Sequence, residues 1–384
     1  MTSRSRRGLG IVVLCLLAAW PAAASRPTTI GVFTQLTRNV ESTVKGASPF
    51  LVQVIRSQPD SAAFGGGRVI GTGVAIGDGQ VLTSAGVVGP ATELDVLREG
   101  QEPLKGHVLG VDRRTDLAVL EVRGLDSPAI PVAHTSLAFP GDPVIAVGRG
   151  PHPGVMTTFG IVIVTSGPRL GFTETDVLQV SAPAFPGIAG GALLDLKGQL
   201  VGVVSGRMAF NPEEVVLPRG MDLVAGTLEE GRFTTSSPNS ATIAVPATLA
   251  LEIAHELATR GQVERGYLGL QVDLVPTSSK KTQSLPGVLV HRVVPGSPAE
   301  QAGLIPGDVI LEYGSTRVQN PENLSYLVGA TLPGSDVTML VLRRGVKNIV
   351  TTRIEQAPEP AWDPGMDKAI ASFSGDAGAA PSLR

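Results

Sequence analysis

The chain contains few of the residue types that define several common protein classes. Of its 384 residues only one is cysteine, five are histidine and 4% are aromatic. A single cysteine excludes a disulfide framework and any metal site built from several cysteines. Charged residues make up 17% of the chain, and the formal net charge is −3. Because no run of basic residues occurs, this charge balance argues against a nucleic-acid-binding surface.

Long apolar runs are also missing, apart from one near the start. This run extends from Leu9 to Trp20, follows three arginines and precedes Ala22–Ala24. A basic start, a short apolar stretch and small residues are typical of a secretory signal peptide, which we expect to be cleaved near Ala24. The run is short for a bilayer span, and a retained membrane anchor is the alternative. We therefore expect an exported, soluble protein, periplasmic or extracellular, that loses Cys15 with the signal peptide.

Glycine and proline, in contrast, are abundant, with 47 and 30 copies. From about Pro49 to Val204 they separate short apolar runs rich in valine and isoleucine, a spacing typical of a β-sandwich or β-barrel. Apolar residues at helical spacing then predict a helix from Pro246 to Arg260. A second unit follows, with strand-like runs and one helix that begins at Asn320. The chain end is rich in proline, alanine and serine, which is typical of disorder.

Several short segments follow one another in a recognisable order. They are Gly71–Val74 with Gly79–Thr83, then Asp112–Leu120, Pro186–Gly191 and Gly261–Gly269, and finally Pro295–Ala299 with Ala302–Leu304 and Gly307–Ile310. Together these segments resemble the HtrA/DegP family of serine proteases over residues 40–355. The resemblance implies a mostly β protein, with a trypsin-like double β-barrel domain followed by an α+β PDZ domain.

Composition and resemblance together divide the chain into five parts. We expect a signal peptide over 1–24, a trypsin-like domain over 40–246, a linking helix over 247–262, a PDZ domain over 264–356 and a disordered tail over 357–384. Neither a cofactor nor a metal ion is expected.

The positions that correspond to the family's catalytic triad are incomplete. A serine protease needs a hydroxyl nucleophile, an imidazole that takes its proton and a carboxylate that orients the imidazole. By the resemblance, Gly86 stands at the position of the base and Ala189 at that of the nucleophile, and only Asp116 has the expected side chain. No histidine occupies a catalytic position of the family. The sequence therefore predicts a pseudoprotease, and an active endopeptidase with non-standard catalytic residues is the alternative.

The nucleophile loop retains one function that needs no side chain. The backbone N–H groups of Gly187 and Ala189 are candidates for an oxyanion hole, because such donors belong to the main chain. The cleft that binds substrate in the family then either binds a carbonyl or carboxylate here, or is filled by the apolar Phe185 and Ile188. The sequence leaves both alternatives open. Asp116 is interpreted as a relic that now hydrogen-bonds a loop.

The expected PDZ domain provides a positive function. A PDZ domain accepts an extended peptide as an added strand, and backbone N–H groups of one loop bind the terminal carboxylate. By the resemblance this loop is Tyr267–Leu270, where Gly269 is expected to let the ligand backbone approach closely. The residues expected to bind peptide, some of them shared with the core, are Tyr267, Leu268, Gly269, Leu270, Val272, Leu324, Leu327 and Val328.

These features favour an exported, non-catalytic protein that binds peptide segments or protein C-termini. Such a protein acts as an adaptor, a chaperone-like protein or a regulator in quality control of envelope proteins. The resemblance further suggests a homo-oligomer or assembly with active relatives, while nucleic acid is not an expected partner. Contact with a membrane is expected only through the signal peptide. A purely structural envelope component is a third hypothesis, and it predicts no binding of C-terminal peptides.

Overall fold

The structure is a computed structural model that describes residues 29–57, 68–133, 139–165, 177–205, 242–275 and 287–360. The expected signal peptide and the segment 211–239 lie outside these residues. Within the described ranges, no helix is both long and apolar enough to cross a membrane.

The first unit begins with a helix and a closed barrel of six antiparallel strands. Helix α1 covers Thr29–Ala47, and a single 3-10 turn, Ser48–Phe50, leads into the barrel. The strands are β1 (Leu51–Ser57), β2 (Arg68–Gly77), β3 (Gln80–Ser84), β4 (Glu93–Leu97), β5 (Leu104–Asp112) and β6 (Leu117–Val122). They are arranged in the order β1-β2-β3-β6-β5-β4. A short buried helix, α2 (Ala85–Val88), follows β3.

A second barrel of six strands follows, and its connecting helix packs back on the first. The strands are β7 (Pro143–Gly148), β8 (Met156–Thr165), β9 (Leu178–Val180), β10 (Ala192–Leu194), β11 (Leu200–Val204) and β12 (Thr242–Pro246). Their order is β10-β11-β12-β9-β8-β7. Helix α3 (Ala247–Arg260) comes next and ends at Gly261, which has a left-handed conformation. The two barrels confirm the predicted trypsin-like double-barrel fold.

The largest hydrophobic cluster joins the two barrels and α3. Leu51 and Leu82 of the first barrel pack there with Ile145 and Leu194 of the second, and all four side chains are fully buried. Burial of a side chain of this size stabilises the fold by about 1.5–3 kcal/mol. Leu257 on α3 completes the cluster, since its side chain is also inaccessible to solvent. The two barrels and α3 therefore share one hydrophobic core.

The C-terminal unit combines a mixed set of short and long strands with two helices. Its strands are β13 (Gly266–Tyr267), β14 (Leu270–Leu274), β15 (Val288–Val293), β16 (Val309–Tyr313), β17 (Thr316–Arg317), β18 (Asp336–Arg343), β19 (Val346–Arg353) and β20 (Glu355–Gln356). The helices are α4 (Pro298–Gln301) and α5 (Pro321–Gly329). The main sheet has the order β14-β15-β16-β18-β19, so β14 and β19 are its edges. This arrangement confirms the predicted α+β domain.

Two local features stabilise this unit. Asn320 caps α5, as its side chain accepts a hydrogen bond of 2.7 Å from the N–H of Asn323. The buried carboxylate of Asp308 accepts bonds of 2.7 Å from Nε and Nη2 of Arg343, and one of 3.0 Å from the N–H of Ile305. Burial alone raises the pKa of Asp308, but these hydrogen bonds outweigh it and hold the pKa below its usual value.

The beginning of the tail differs from the expectation of disorder from residue 357 onward. Residues 357–360 belong to the described part of the chain and contact other segments. The N–H of Ala357 donates to the carbonyl oxygen of Arg265 at 2.8 Å. Composition did not reveal this, because the partners of these residues lie far away along the chain. The remaining tail, 361–384, lies outside the described residues.

Candidate functional site

Asp116 lies at the end of the turn that joins β5 to β6, and its side chain points into the protein. The residue is 1% exposed and has a φ of +59°. Aspartate is one of the few residues other than glycine that tolerate this left-handed conformation. The backbone thus fixes the direction of the carboxylate.

Three neighbouring residues donate hydrogen bonds to this buried carboxylate. Ser84 Oγ lies 2.9 and 3.0 Å from the two oxygens of Asp116, and Ser205 Oγ lies 2.8 Å from Oδ2. The N–H of Gly86 donates to Oδ1 at 2.8 Å. A buried charge is costly unless it is hydrogen-bonded, so these donors stabilise the carboxylate in place. They are two hydroxyl groups and one amide, none of which acts as a base at neutral pH.

Gly86 lies in the short helix α2, directly beside Asp116. The hydroxyl of Ser84 caps this helix by accepting a bond of 3.1 Å from the N–H of Gly86. The same hydroxyl donates to Asp116, so one serine joins the helix to the turn. Nothing local in the sequence marks Ser205 as a partner of Asp116, whereas Ser84 lies only two residues before Gly86.

The loop that carries Ala189 is held by Thr72 on β2. The N–H of Thr72 donates to the carbonyl oxygen of Ala189 at 2.8 Å. Its hydroxyl donates to the carbonyl oxygen of Gly187 at 2.6 Å and accepts from the N–H of Arg149 at 2.7 Å. Since Thr72 is fully buried, these bonds are protected from water. One residue of the first barrel thus fixes the main chain of a loop of the second.

A glycine brings the same loop against the strand that leads to Gly86. Gly190 has a φ of +80°, and a Cβ atom on it would lie 2.2 Å from the carbonyl oxygen of Thr72 and 2.8 Å from the nitrogen of Ser84. No side chain fits in this gap. The segments that carry Ala189, Gly86 and Asp116 are therefore adjacent.

The main chain around Ala189 is only partly hydrogen-bonded within the described residues. The N–H of Ile188 donates to Phe185 at 3.1 Å and the N–H of Gly190 to Val204 at 2.8 Å, both on carbonyl oxygens. Within the part of the chain that the structure describes, the N–H groups of Gly187 and Ala189 donate no such bond. Gly86, Asp116 and Ala189, which correspond by resemblance to the family's triad positions, carry no imidazole and no hydroxyl.

The apolar residues near the loop belong to the cores of the barrels. Phe185 and Ile188, which are 8% and 2% exposed, pack in the core of the second barrel. Ala189 packs with Val87 in the core of the first. Phe185 and Ile188 are therefore accounted for by packing inside the second barrel.

The predicted peptide-binding residues of the C-terminal unit differ in how far they are buried. Leu270 and Val272 on β14, together with Leu327 on α5, are half-buried at the edge of the core. Tyr267 lies on β13, which pairs with β20. The other side chains are buried in the core rather than exposed along a groove, and they are Leu268, Leu324 and Val328.

Gly269 is required for a reason other than ligand approach. It has a φ of +81°, and a Cβ atom on it would lie 2.2 Å from Cβ of Ser297. The carbonyl oxygens of Leu268 and Gly269 accept bonds of 2.9 Å from the N–H groups of Ala299 and Val294. Because the N–H and C=O of a trans peptide point in opposite directions, the N–H groups of Gly269 and Leu270 point away from those partners.

Histidine and acidic residues form no further site in the described ranges. His107 lies 3.4 Å from Glu93, and His291 lies 3.5 Å from Asp273, all four side chains being exposed. No group of three or more His, Cys, Asp or Glu side chains that would hold a metal ion occurs among the described residues.

Comparison with known proteins agrees with this geometry. Residues 71–203 match the family model for a trypsin-like peptidase domain, and residues 289–343 match that for a PDZ domain. The chain is 32% identical over 73% of its length to a protein of Hahella chejuensis named as a DegP-like periplasmic serine endoprotease. It is 31% identical over 76% of its length to a Synechocystis protein named as the serine protease HhoB. It spans 55% and 68% of the lengths of these relatives.

A solved structure shows the same arrangement of domains. The HtrA-type protease AlgW, determined with a decapeptide, is similar to the chain with a TM-score of 0.67 and 26% identity. The match covers 84% of this chain and 99% of AlgW. The similarity thus extends over both barrels and the C-terminal unit.

Proposed function

The chain belongs to the HtrA/DegP family of trypsin-like peptidases with a PDZ domain, and we propose that it binds peptides without cleaving them. The observation that carries this proposal is the set of residues around Asp116. Proton transfer from a nucleophile needs an imidazole, and hydrolysis through an acyl intermediate needs a hydroxyl or thiol. Gly86 and Ala189 supply neither.

The proposed ligand is an extended peptide with a free C-terminus, bound beside β14. This strand is an edge of its sheet, and its unpaired side is a template for an added strand. The outward N–H groups of Gly269 and Leu270 lie at its beginning and are suited to a terminal carboxylate. Leu270, Val272 and Leu327, being half-buried, leave apolar surface for a ligand side chain.

The proposal includes a location and a role. The relatives named above include a protein described as periplasmic, and the first residues of this chain have the pattern of a signal peptide. We therefore infer an exported adaptor, chaperone-like protein or regulator, either as a homo-oligomer or in assembly with active relatives. The alternative is an active endopeptidase with other catalytic residues.

Labelling with a fluorophosphonate probe and turnover of casein test the absence of catalysis. We expect neither labelling nor turnover for the full chain. The matched variant carries Gly86→His together with Ala189→Ser, which restores the missing chemical groups. Labelling of this variant would show that its cleft is intact. Labelling or turnover by the unmodified chain would refute the proposal.

Peptide binding is tested with pairs of peptides that differ only at the C-terminus. For peptides selected from a C-terminal library, amidation of the terminal carboxylate should weaken binding at least tenfold, because the loop N–H groups then face a neutral group. Val272→Glu on β14 should also abolish binding, while Val346→Glu on the far edge strand β19 serves as the matched control. Equal binding of free and amidated peptides would contradict the proposed site.

A further inference from the structure

The turn that leads to Asp116 also receives the C-terminal unit. Asp112 at its beginning is 1% exposed, and its carboxylate accepts hydrogen bonds from Nη1 and Nη2 of Arg265, at 2.9 and 2.8 Å. A bidentate pair of this kind fixes orientation as well as distance. Arg265 lies directly before β13, so the pair joins the first barrel to the start of the C-terminal unit.

A second connection to the same turn comes from the other end of that unit. The N–H of Arg113 donates to Oε1 of Glu359 at 2.6 Å, and Nη2 of Arg114 donates to the carbonyl oxygen of Pro358 at 2.9 Å. The segment that makes these contacts follows β20. It uses the side chain of Glu359 and the backbone carbonyl of Pro358. Residues 113 and 359 are 246 positions apart along the chain, so this contact is a product of the tertiary fold.

The segment is also attached to its own unit. Gln356 closes β20 against β13, and its Nε2 donates to the carbonyl oxygen of Val263 at 3.0 Å. The next residue, Ala357, donates its N–H to the carbonyl oxygen of Arg265. The chain thus leaves the sheet, passes the residue that binds Asp112 and reaches Arg113 and Arg114.

We propose that Gln356–Glu359 form a strap that fastens the PDZ domain to the first barrel in one fixed orientation. Its docking surface is the turn Asp112–Thr115, which accepts an extended segment carrying a carboxylate. The contacts of Arg113 and Arg114 add to the Arg265 pair on the same turn, and together they oppose rotation about that pair. The strap holds the domains whether or not the protein cleaves peptides, so it does not depend on the proposed function.

The fixed orientation has a consequence for the peptide-binding loop. Tyr267, where this loop begins, is two residues from Arg265, and β13 pairs with the strand that precedes the strap. The loop is therefore held between the two attachment points. With the strap released, the pair of Arg265 with Asp112 acts as a pivot, and the PDZ domain is expected to sample several orientations.

Reversal of one charge in the full chain tests the strap. Glu359→Lys places a cation beside Arg113 and Arg114, while Glu355→Lys makes the same change on β20, four residues earlier, and serves as the control. Hydrogen exchange by mass spectrometry reports on the amides of Arg113 and Ala357. Small-angle X-ray scattering reports on the range of domain orientations.

In Glu359→Lys we expect exchange at Arg113 to accelerate on the order of tenfold, since its hydrogen bond to Glu359 opens, while Ala357, which is bonded to Arg265 within its own unit, serves as the internal reference. The scattering should show a broader distribution of distances, whereas Glu355→Lys should match the unmodified chain. Arg114→Ala removes the second contact and should act in the same direction. Unchanged scattering in both strap variants, with the first barrel still folded by its unfolding temperature, would overturn the proposal.

Discussion

Removal of the Ser84 hydroxyl should destabilise the first unit, because this group supports a buried charge. In Ser84→Ala, Asp116 loses a donor that lies 2.9 and 3.0 Å from its two oxygens. The carboxylate remains 1% exposed and cannot recruit bulk water without a local opening. The variant also loses the cap of α2, because the N–H of Gly86 no longer finds the hydroxyl.

The expected loss follows from the charge of the acceptor. A hydrogen bond to a charged group contributes about 1.5–3 kcal/mol, more than a bond between neutral groups. A unit of roughly 150–250 residues loses about 2–4 °C of unfolding temperature per kcal/mol. Ser84→Ala is therefore expected to lower the unfolding temperature of the first unit by about 3–12 °C.

Calorimetry of the full chain measures this shift, and Ser181→Ala is the matched control. Ser181 is exposed, and its hydroxyl accepts from the N–H of Ile161 at 2.9 Å, so water replaces it at small cost. An exposed substitution of this kind changes stability by less than about 0.5 kcal/mol. Equal unfolding temperatures for Ser84→Ala and Ser181→Ala would refute the structural role of the Ser84–Asp116 contact.

Three further predictions concern the PDZ domain and the strap. Arg343→Met leaves the buried Asp308 carboxylate without its cation, so calorimetry should show a lower unfolding temperature for this domain, whereas an unchanged unfolding temperature would contradict the role of the pair. Gly269→Ala places a methyl group against Ser297, so the domain should lose stability. The chain should also bind C-terminal peptides less tightly in a fluorescence titration. Unchanged affinity would argue against this loop as the site that binds the terminal carboxylate. Burial holds the pKa of Glu359 above the usual value of 4.5, although the N–H of Arg113 and nearby guanidinium groups oppose this shift. Because the docked carboxyl takes up a proton more readily than a free one, a fall in pH toward 4.5 should tighten the strap and slow exchange at Arg113, after correction for the intrinsic rate.

The sequence predicts a β-sandwich or β-barrel from its short apolar runs, and the double barrel and the PDZ domain from its resemblance to the HtrA/DegP family. It does not reveal β4 and β5, and the reason lies in their composition. In β4 only Leu94 and Val96 are buried, between acidic residues, while β5 is interrupted by Gly106 and Gly110. Gly110 is needed because a Cβ atom there would lie 2.7 Å from the carbonyl oxygen of Gly261 after α3. Tertiary packing of this kind leaves no periodic signal.

In the candidate site, too, short segments of sequence indicate some residues, whereas contacts between distant segments determine the others. Gly86, Asp116 and Ala189 are each found from a short stretch of sequence. Ser205 and Thr72 are not, since Ser205 is 89 positions from Asp116 and Thr72 is 115 positions from Gly187. The groups that hold the carboxylate and the loop therefore become visible only in the folded chain.

The contacts of Asp116 give this residue a structural role of its own. Replacement by alanine removes the acceptor that faces Ser84 and the N–H of Gly86, and it places a residue other than Asn, Asp or Gly at a φ of +59°. Asp116→Asn keeps the shape and tolerates the backbone, but its amide presents N–H groups to donors. We therefore expect Asp116→Ala to be less stable than Asp116→Asn by about 1–2 kcal/mol of backbone strain, and both to be less stable than the unmodified chain. Thermal unfolding of the two variants measures this order. If both match the unmodified chain, the retention of Asp116 has no basis in stability.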